Sequence, residues 1–411
     1  MVEEEAAGWG DLSDFEAEET PVFEARLYGY IDSYFEQVAD TPAGVDGNGD
    51  TVFESNPYEF DVLNLHVMVQ GTIYGKYRFF VNLAAPGSGG VTGDEPIAVR
   101  NAWVEAPLFD NLLVVRAGKT YRRFGLYNEI LDAVPTFIGI EPPELFDKDH
   151  LMLTRTTNLM LHGTAAMSNG YALRYSVATG NDERADRSFP VGADLRLIGG
   201  GMFTLGTSFY WTGGDATPSR DVGDGSPRGG VVNWMDRDRY VVFGGYGQLQ
   251  MSGVILQAAY WQANHDARRN AESTLALADG DLNQRQLERF FVNGDPMQGV
   301  VPEANYAVQT FYVRAGYELA FESGFTLIPY AQADFYKNPE TVASKDLGGD
   351  AEAGITDDGQ FWKVTAGAVV RPVPQVAFKV DGSAHIQQFN GESVIYPEIR
   401  LSLSYLWELL R

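Results

Sequence analysis

The sequence predicts an all-β protein, a single transmembrane antiparallel β-barrel of about sixteen strands with short turns at one end and long loops at the other. Three observations predict this fold. Apolar and polar side chains alternate with a period of two, short and long connections between the alternating segments follow each other in turn, and no apolar run approaches the roughly 20 residues of a membrane-spanning helix. A helical membrane protein is therefore excluded.

The alternation is clearest near the C-terminus, where successive side chains of a strand would point to opposite faces. One face carries Ile399, Leu401, Leu403, Tyr405, Trp407 and Leu409, and the other carries Glu398, Arg400, Ser402, Ser404 and Glu408. No helical period fits this segment. In a large barrel the apolar rows face lipid and the polar rows face a water-filled interior.

The same pattern recurs along the whole chain. We place strands near residues 22–37, 58–70, 73–84, 97–107, 111–119, 157–167, 170–180, 190–199, 201–213, 238–251, 253–264, 304–321, 324–336, 360–372, 374–389 and 396–407. The short turns include Gly71-Thr72, Ser168-Asn169-Gly170, Gly199-Gly200, Ser252-Gly253 and Ser323-Gly324. With the long loops outside the cell, both termini lie on the periplasmic side.

Aromatic residues near the predicted strand ends fit girdles at the two membrane interfaces. The set includes Tyr28, Tyr30, Tyr34, Tyr74, Tyr77, Trp211, Trp261, Tyr336, Tyr405 and Trp407. A soluble β-sandwich, such as a sugar-binding protein, is the alternative fold, because it also alternates and also has glycine-rich turns.

No composition break divides the chain into separate domains. We expect an acidic N-terminal segment, residues 1–21, and a barrel over residues 22–411 with an inward-folded loop, residues 120–156. Met1 is followed by three glutamates within four residues and not by a basic start and an apolar run, so the chain is expected to be the mature form of an exported protein. The absence of cysteine suits export and excludes thiol chemistry.

The formal net charge of −26 argues against nucleic acid as a partner, because binding to phosphates needs a concentrated basic surface. Many of the acids fall in predicted external loops, whereas bases outnumber acids at predicted lumen-facing positions. The charge of the chain therefore leaves the sign of any ion selectivity open.

Three passages resemble outer-membrane porins of Gram-negative bacteria, loosely those of the phosphate-selective porin family and its relatives. They are the opening strand, residues 26–34; the strand that runs into a long loop, residues 116–129; and the late hairpins, residues 367–382. The resemblance implies a porin in the bacterial outer membrane, in contact with lipid and lipopolysaccharide, with homotrimers as a plausible assembly. The chain departs from the pattern by ending on Arg411 instead of an aromatic residue, and its mixed charges do not predict phosphate as the solute.

In porins of this type the loop after the fifth strand folds inward and narrows the barrel. Residues 120–156 hold this position, and the candidate constriction residues are Arg122, Arg123, Glu129, Asp132, Glu141, Glu144, Asp147, Lys148, Asp149 and Arg155. The candidate pore-lining bases on the strands are Lys76, Arg78, Arg100, Arg116, Arg174, Arg196, Arg314, Lys363, Arg371, Lys379 and Arg400. If acids face bases across an opening, their field would select polar solutes. The alternative is that the bases are ordinary wall residues paired with neighbouring acids, which would give the same composition.

Two loops carry further motifs. Asp46, Asn48 and Asp50 place oxygen ligands at alternating positions, which resembles the start of a calcium loop, but Pro57 stands where the bidentate glutamate belongs. The motif thus predicts calcium in an external loop, with solvated turn residues as the alternative. Residues 281–291 have helical spacing and indicate a short surface helix or lid.

An enzyme is not expected. Asp381, Ser383 and His385 share one strand face, but residues two apart on a strand are about 6.5 Å from each other, too far for a serine and its base. The sequence thus favours passive diffusion of ions and small polar solutes through a charge-lined pore. The alternative is a structural outer-membrane barrel that binds a partner protein or a surface layer.

Overall fold

A computed structural model describes residues 22–46, 48–56, 58–85, 97–130, 133–140, 142–143, 156–180, 189–213, 230, 232, 234–279, 282–342 and 354–410. Within these residues nineteen strands form, and β2 with β3 makes a separate small hairpin. The strands are β1 Phe23–Val38, β2 Thr41–Val45, β3 Thr51–Glu54, β4 Glu59–Ile73, β5 Tyr77–Ala84, β6 Ala98–Phe109, β7 Leu113–Thr120, β8 Thr156–Ala166, β9 Tyr171–Gly180, β10 Val191–Gly199, β11 Phe203–Trp211, β12 Met235–Met251, β13 Val254–Arg269, β14 Glu303–Tyr317, β15 Leu319–Ala320, β16 Thr326–Lys337, β17 Gln360–Val373, β18 Val376–Phe389 and β19 Glu392–Leu410.

The remaining strands form one closed antiparallel barrel. β14 and β15 act as a single interrupted strand, since both pair with β16, and the barrel therefore has 16 strands. Closure is made by β1, which pairs with β4 on one side and with β19 on the other. The predicted fold class and strand number are confirmed, and the soluble sandwich is excluded. No helix in the described part of the chain is long and apolar enough to cross a membrane.

Two predicted connections are wrong. Gly71 and Thr72 belong to β4, and the turn is formed by Tyr74, Gly75 and Lys76, the first two with φ of 54° and 60°. Gly71 serves close packing instead, because a Cβ there would lie 2.9 Å from the Phe79 ring. The alternation of short and long connections makes the one between the last two strands long, but it is the tight turn Asn390-Gly391, with φ of 54° and 75°. Positive φ at both positions is what a two-residue hairpin requires.

The two faces of each strand differ as the alternation predicts. On β18, Phe378 and Val380 remain 47% and 45% exposed on the outside, whereas Lys379 and Asp381 are 3% and 5% exposed on the inside. With no water in the bilayer to bind the free edge of a sheet, closure satisfies the backbone, and the apolar outer rows meet the lipid. The closed sheet and its apolar exterior make the chain a transmembrane β-barrel.

Several aromatic residues assigned to the girdles lie inside the barrel. Tyr30, Tyr34, Trp261 and Tyr336 are at most 5% exposed and occupy lumen-facing rows, while Tyr74, Tyr77, Trp211 and Tyr405 do lie on the outside. Tyr30, Trp261 and Tyr336 join a large cluster that includes Tyr210, Tyr246 and Tyr312. Sequence position near a strand end does not reveal which face a ring occupies, and here the inward face takes many of them.

The external ends of β12, β13 and β14 are longer than predicted and carry a cap. Helix α1 spans Ala271–Ala276 and helix α2 spans Gln284–Phe290, which confirms the helix predicted near residues 281–291. A capping box between Asn283 and Gln286 starts α2. We call residues 271–279, 283–298 and 338–342 the outer cap.

The outer cap is fixed to the barrel by a buried ion pair and by aromatic packing. Arg269, at the end of β13, donates to both carboxylate oxygens of Glu340 at 2.6 and 3.0 Å, and Arg289 of α2 also binds Glu340. Phe290 and Phe291 are fully buried in the aromatic cluster. Breaking a buried pair leaves an uncompensated charge, so these contacts hold the cap in one position.

The seam where β1 meets β19 gives a test of the fold. Gly29 of β1 lies under the Trp407 ring, and a Cβ at Gly29 would be 2.1 Å from the His66 carbonyl oxygen and 2.4 Å from that ring. Gly29→Ala should destabilise the barrel by about 1–3 kcal/mol through overpacking. At Gly382 a Cβ would meet only the Glu398 carbonyl oxygen, at 3.7 Å. Gly382→Ala should therefore leave stability unchanged.

The measurement is the temperature at which the compact unboiled band converts to the unfolded band on a gel. A lower conversion temperature for Gly29→Ala alone is expected, and equal temperatures for both variants would contradict the packing at the seam.

Candidate pore constriction and periplasmic cavity

The loop that follows β7 enters the barrel and crosses it. Phe124 stacks on Trp261 of β13 with ring centroids 4.3 Å apart, and the Gly125 amide donates to Ser208 Oγ of β11 at 3.1 Å. Around the 16-stranded barrel, β11 lies four strands and β13 six strands away from β7, the strand that the loop leaves. The first part of the loop thus reaches into the lumen, and we call its described residues, 121–130 and 133–140, the crossing loop.

The middle of the crossing loop is pinned by the Tyr127 hydroxyl. This hydroxyl donates to Gln257 Oε1 at 2.6 Å and accepts from Arg314 of β14, which is 1% exposed. The Tyr127 ring also packs edge-on against Phe137 and Tyr312, at 5.5 and 6.1 Å. One tyrosine therefore links the loop to itself and to two strands.

The last part of the crossing loop is held by cations and an acid of β17 and β18. Lys379 Nζ donates to the Gly139 carbonyl at 3.0 Å, and the Ile140 amide donates to Asp381 Oδ2 at 3.3 Å. Arg371 donates to the carbonyl oxygens of Pro135 and Thr136, at 3.3 Å each. The loop is thereby anchored at both ends and in the middle, as a constriction requires.

Beneath the crossing loop lies a cavity of about 480 Å³. We call it the periplasmic cavity, because its lining includes Thr204, Gln250 and Pro374, which lie beside the short turns of the barrel. The charged residues in the lining are Arg116, Arg123, Arg174, Arg196, Arg371, Glu129 and Glu318. Five guanidinium groups against two carboxylates make its wall cationic.

Glu129 sits at the centre of this charge cluster. Its carboxylate accepts from Arg123 Nε at 3.0 Å and lies 3.3 Å from Arg196 Nη2. Burial raises the pKa of the Glu129 carboxyl. The guanidinium groups of Arg123, Arg196 and Arg116 and the hydrogen bond from Arg123 together lower this pKa by more than burial raises it, to about 2. The carboxylate therefore stays ionised and holds two arginines in place.

A second acid, Glu105 of β6, organises the neighbouring wall. It lies 2.7 Å from Arg116 Nε, 2.8 Å from Arg78 Nη2 and 2.8 Å from His162 Nε2. Arg116 also stacks its guanidinium over the Trp103 ring at 4.2 Å. Arg116 is thus fixed by an acid on one side and an aromatic face on the other.

Arg122 lies in a different environment from the adjacent Arg123. It is 1% exposed and stacks on Tyr210 at 5.3 Å, and its Nε and Nη2 find no hydrogen-bond partner among the residues that the structure describes. Asn128 Nδ2 donates to its backbone carbonyl at 2.5 Å, which tightens the start of the loop. Arg122 is not part of the periplasmic cavity lining, whereas Arg123 is.

The predicted pore-lining bases fall into three groups. Nine lie on inward-facing rows: Arg78, Arg116, Arg174, Arg196, Arg314, Lys363, Arg371, Lys379 and Arg400. Arg100 lies between Val99 and Asn101, where the β5–β6 register shifts. Lys76 needs a correction, because it is exposed in the β4–β5 turn that the sequence placed three residues too early.

The nine inward bases do not form one ladder. Four of them reach the periplasmic cavity, and Lys379 and Arg314 hold the crossing loop instead. Lys363 and Arg400 both bind Glu398, the first at 3.4 Å. Of the predicted constriction residues, Asp132, Glu141, Glu144, Asp147, Lys148, Asp149 and Arg155 lie outside the described residues.

Aromatic residues of the lumen were missed at the sequence level. Trp103, Tyr127 and Phe137 line the cavity. For Trp103 the sequence did carry a signal, because the alternation places this ring on the inward face together with Asn101 and Glu105. For the loop residues Tyr127 and Phe137 no periodic signal exists.

The three residues weighed for catalysis have separate partners. His385 Nε2 lies 3.0 Å from Glu398 Oε2, Ser383 Oγ lies 2.8 Å from Thr365 Oγ1, and Asp381 accepts from Tyr330 at 2.6 Å. Neither Ser383 nor Asp381 is hydrogen-bonded to His385 in these contacts. Wall packing accounts for all three positions.

The loop considered for calcium forms a turn. Asp46 Oδ1 accepts from the amides of Asn48 and Asp50, at 2.8 and 2.9 Å, so this carboxylate satisfies backbone donors of its own loop. Within the described residues, no group of three or more His, Cys, Asp or Glu side chains could hold a metal ion. Calcium stays a sequence prediction.

No protein-family model matches the chain, and no curated protein matches it. Solved structures share its fold. The outer membrane channel DcaP of Acinetobacter baumannii has 11% identity and a TM-score of 0.53, over 96% of this chain and 100% of its own. An anion-selective porin from Comamonas acidovorans has 10% identity and a TM-score of 0.55, over 94% and 100%. OmpT, an outer membrane protein of Vibrio cholerae in its trimer form, has 10% and 0.53, over 94% and 100%.

At such identities the likeness concerns the fold. Together with the closed barrel and its apolar exterior, it confirms the resemblance to outer-membrane porins and the location in the bacterial outer membrane. The chain is a porin-like barrel with an internal crossing loop.

The pin at Tyr127 gives a first test of the constriction. Tyr127→Phe removes both hydrogen bonds of the hydroxyl and deprives the buried Arg314 of one acceptor, which should cost about 1–3 kcal/mol. The loop should then move more, and single-channel current noise should rise. Tyr260→Phe, on the outer face of β13, is the matched control. Identical noise in the two variants would contradict the pinning role.

The low pKa of Glu129 gives a second test. A carboxyl group with a lowered pKa keeps its stabilising interactions at high pH and loses them only as the pH falls through the folded-state value, here about 2. The difference in reversal potential between the natural protein and Glu129→Gln should therefore be the same at about pH 7 and about pH 4. A difference that vanishes at the lower pH would show an ordinary carboxyl pKa.

Proposed function

We propose that this barrel is a porin for passive diffusion of ions and small polar solutes, with a preference for anions. The observation that carries the proposal is the crossing loop, anchored across the lumen directly above a cavity whose wall is rich in arginine. A loop so placed narrows the path, and the charges beside the narrow part act on whatever passes.

The sign of the preference follows from the charges beside the cavity. The lining has five arginines and two glutamates. Glu129 binds both Arg123 and Arg196, and its single negative charge neutralises only one of their two positive charges. Among the described acids of the external loops, Asp357 accepts from the amides of Asn390 and Gly391 at the external end of the barrel. Salt screens the field of such distant charges beyond about 8 Å. A positive potential at the constriction raises the local concentration of anions.

The named neighbours are consistent with this proposal. One is called an outer membrane channel and another an anion-selective porin, and both share the fold over nearly the whole chain. At about one residue in ten identical, they support the proposal through the fold only. No catalytic arrangement is needed for such a role, and we propose none.

Assembly and lipid contacts complete the proposal. The trimer form of OmpT favours a homotrimer. The outer faces of the strands would contact lipid, and the external rim of the barrel would contact lipopolysaccharide. Crosslinking in native membranes would test the trimer, with a ladder ending at three chains as the expected result.

A structural barrel is the second candidate, and one observation favours it. The external half of the lumen is densely packed, with His265 stacked between Tyr240 and Tyr306 at 4.9 and 4.1 Å and the outer cap above them. A barrel filled in this way could serve as a scaffold. Failure of the purified protein to conduct would support this candidate.

The test of the proposal is conductance in planar bilayers. The purified protein should produce stepwise increases in current, and under a KCl gradient the reversal potential should have the sign of chloride permeation. Arg123→Gln should shift that potential toward potassium, because it removes a charge from the cavity wall. Arg268→Gln, exposed on the outer face of β13, should leave it unchanged.

An absence of current steps would contradict the porin proposal. A reversal potential of the opposite sign in the natural protein would contradict only the preference for anions.

A further inference from the structure

The periplasmic cavity has a cationic wall with unused donor capacity. Arg123 has five N–H donors, and among the residues that the structure describes it uses only Nε, toward Glu129. Its Nη1 finds no hydrogen-bond partner there, although this atom is itself shielded from solvent. The fork of a guanidinium binds carboxylates and similar oxyanions with two parallel hydrogen bonds. Arg123 is thus fixed through Nε, and it forms part of the cavity lining.

A second part of the lining is apolar. The Phe80 and Trp103 rings lie 5.6 Å apart in a tilted arrangement, and Phe137, Ile255 and Ile328 line the same cavity. A small hydrated ion gains nothing from such a wall. A molecule with an apolar body would remove both surfaces from water at about 25 cal/mol per Å².

The size of the cavity matches a molecule of this kind. About 480 Å³ lies within the range of small-molecule sites, roughly 300–1,000 Å³. One water accounts for about 30 Å³, so the cavity greatly exceeds what a single inorganic ion needs.

We infer that the periplasmic cavity binds organic anions that combine an oxyanion group with an aromatic or other apolar body. The oxyanion binds Arg123 and the neighbouring Arg196, and the body lies against Trp103 and Phe137. This inference rests on the proposed function, since it names the class of solute that the constriction selects. Compact oxyanions such as inorganic phosphate use only one of the two walls.

The test compares four probes that separate the two walls. Benzoate has both a carboxylate and a ring, acetate has the charge alone, benzamide has the ring without the charge, and inorganic phosphate is a compact anion. Binding to the detergent-solubilised full chain is measured by calorimetry. Block of chloride current is measured in bilayers with each probe on the periplasmic side.

Benzoate should bind at least about tenfold more tightly than each of the other three, a difference of about 1.4 kcal/mol. Equal affinity for benzoate and phosphate, or for benzoate and benzamide, would overturn the inference, because one wall would then contribute nothing.

Two variants locate the site. Arg123→Gln should weaken benzoate about tenfold, and Trp103→Leu should weaken benzoate while leaving acetate unchanged. Their matched controls are Arg268→Gln and Trp362→Leu, both on the outer face of the barrel. All four must show the compact unboiled band. Unaltered benzoate affinity in both cavity variants, in folded protein, would place the binding elsewhere and overturn the inference.

The two proposals fail separately. Current steps without a preference for benzoate would refute this inference and leave the porin proposal standing. Tight benzoate binding by calorimetry without current steps would refute the porin proposal and support the cavity as a binding site.

Discussion

The pairing of β1 with β19 is the contact on which the rest of the molecule depends. In a bilayer no water is present to bind the free edge of a sheet, and closure by this seam satisfies the backbone of every strand. Closure also sets the size of the interior. Sixteen strands enclose a channel wide enough for water, and a wide channel discriminates poorly.

The interior contents therefore decide what the barrel does. The crossing loop reduces the lumen by fastening itself to β11, β13, β14, β17 and β18 through a few specific contacts. Several of the strongest use a charged side chain and a backbone carbonyl, as Lys379 does with Gly139. Such contacts position the loop, and Arg371, which makes two of them, also lines the periplasmic cavity together with four other arginines. The outer cap adds a second, external layer that is fixed by Glu340.

The sequence was sufficient for the strands because alternation reports directly on which face meets lipid. It placed the sixteen strands and found α2 from its spacing. It was insufficient where a residue's role depends on a distant partner. Gly71 was interpreted as a turn although it makes room for Phe79, and Trp261 was assigned to a girdle although Phe124 of the crossing loop covers it. Similarly, alternation put Lys379 and Arg371 on the inside, but only the folded loop reveals that both donate to its carbonyl groups.

The central claim is that the crossing loop borders the conducting path. The chain has no cysteine, so Thr136→Cys, an exposed loop position beside the cavity, creates a unique target for a cationic thiol reagent. Single-channel current recorded before and after addition of the reagent from the periplasmic side measures whether this position lies in the path. The account predicts a stepwise drop in current, and no drop for Phe378→Cys on the lipid-facing side. Complete modification of Thr136→Cys with unchanged current would contradict it.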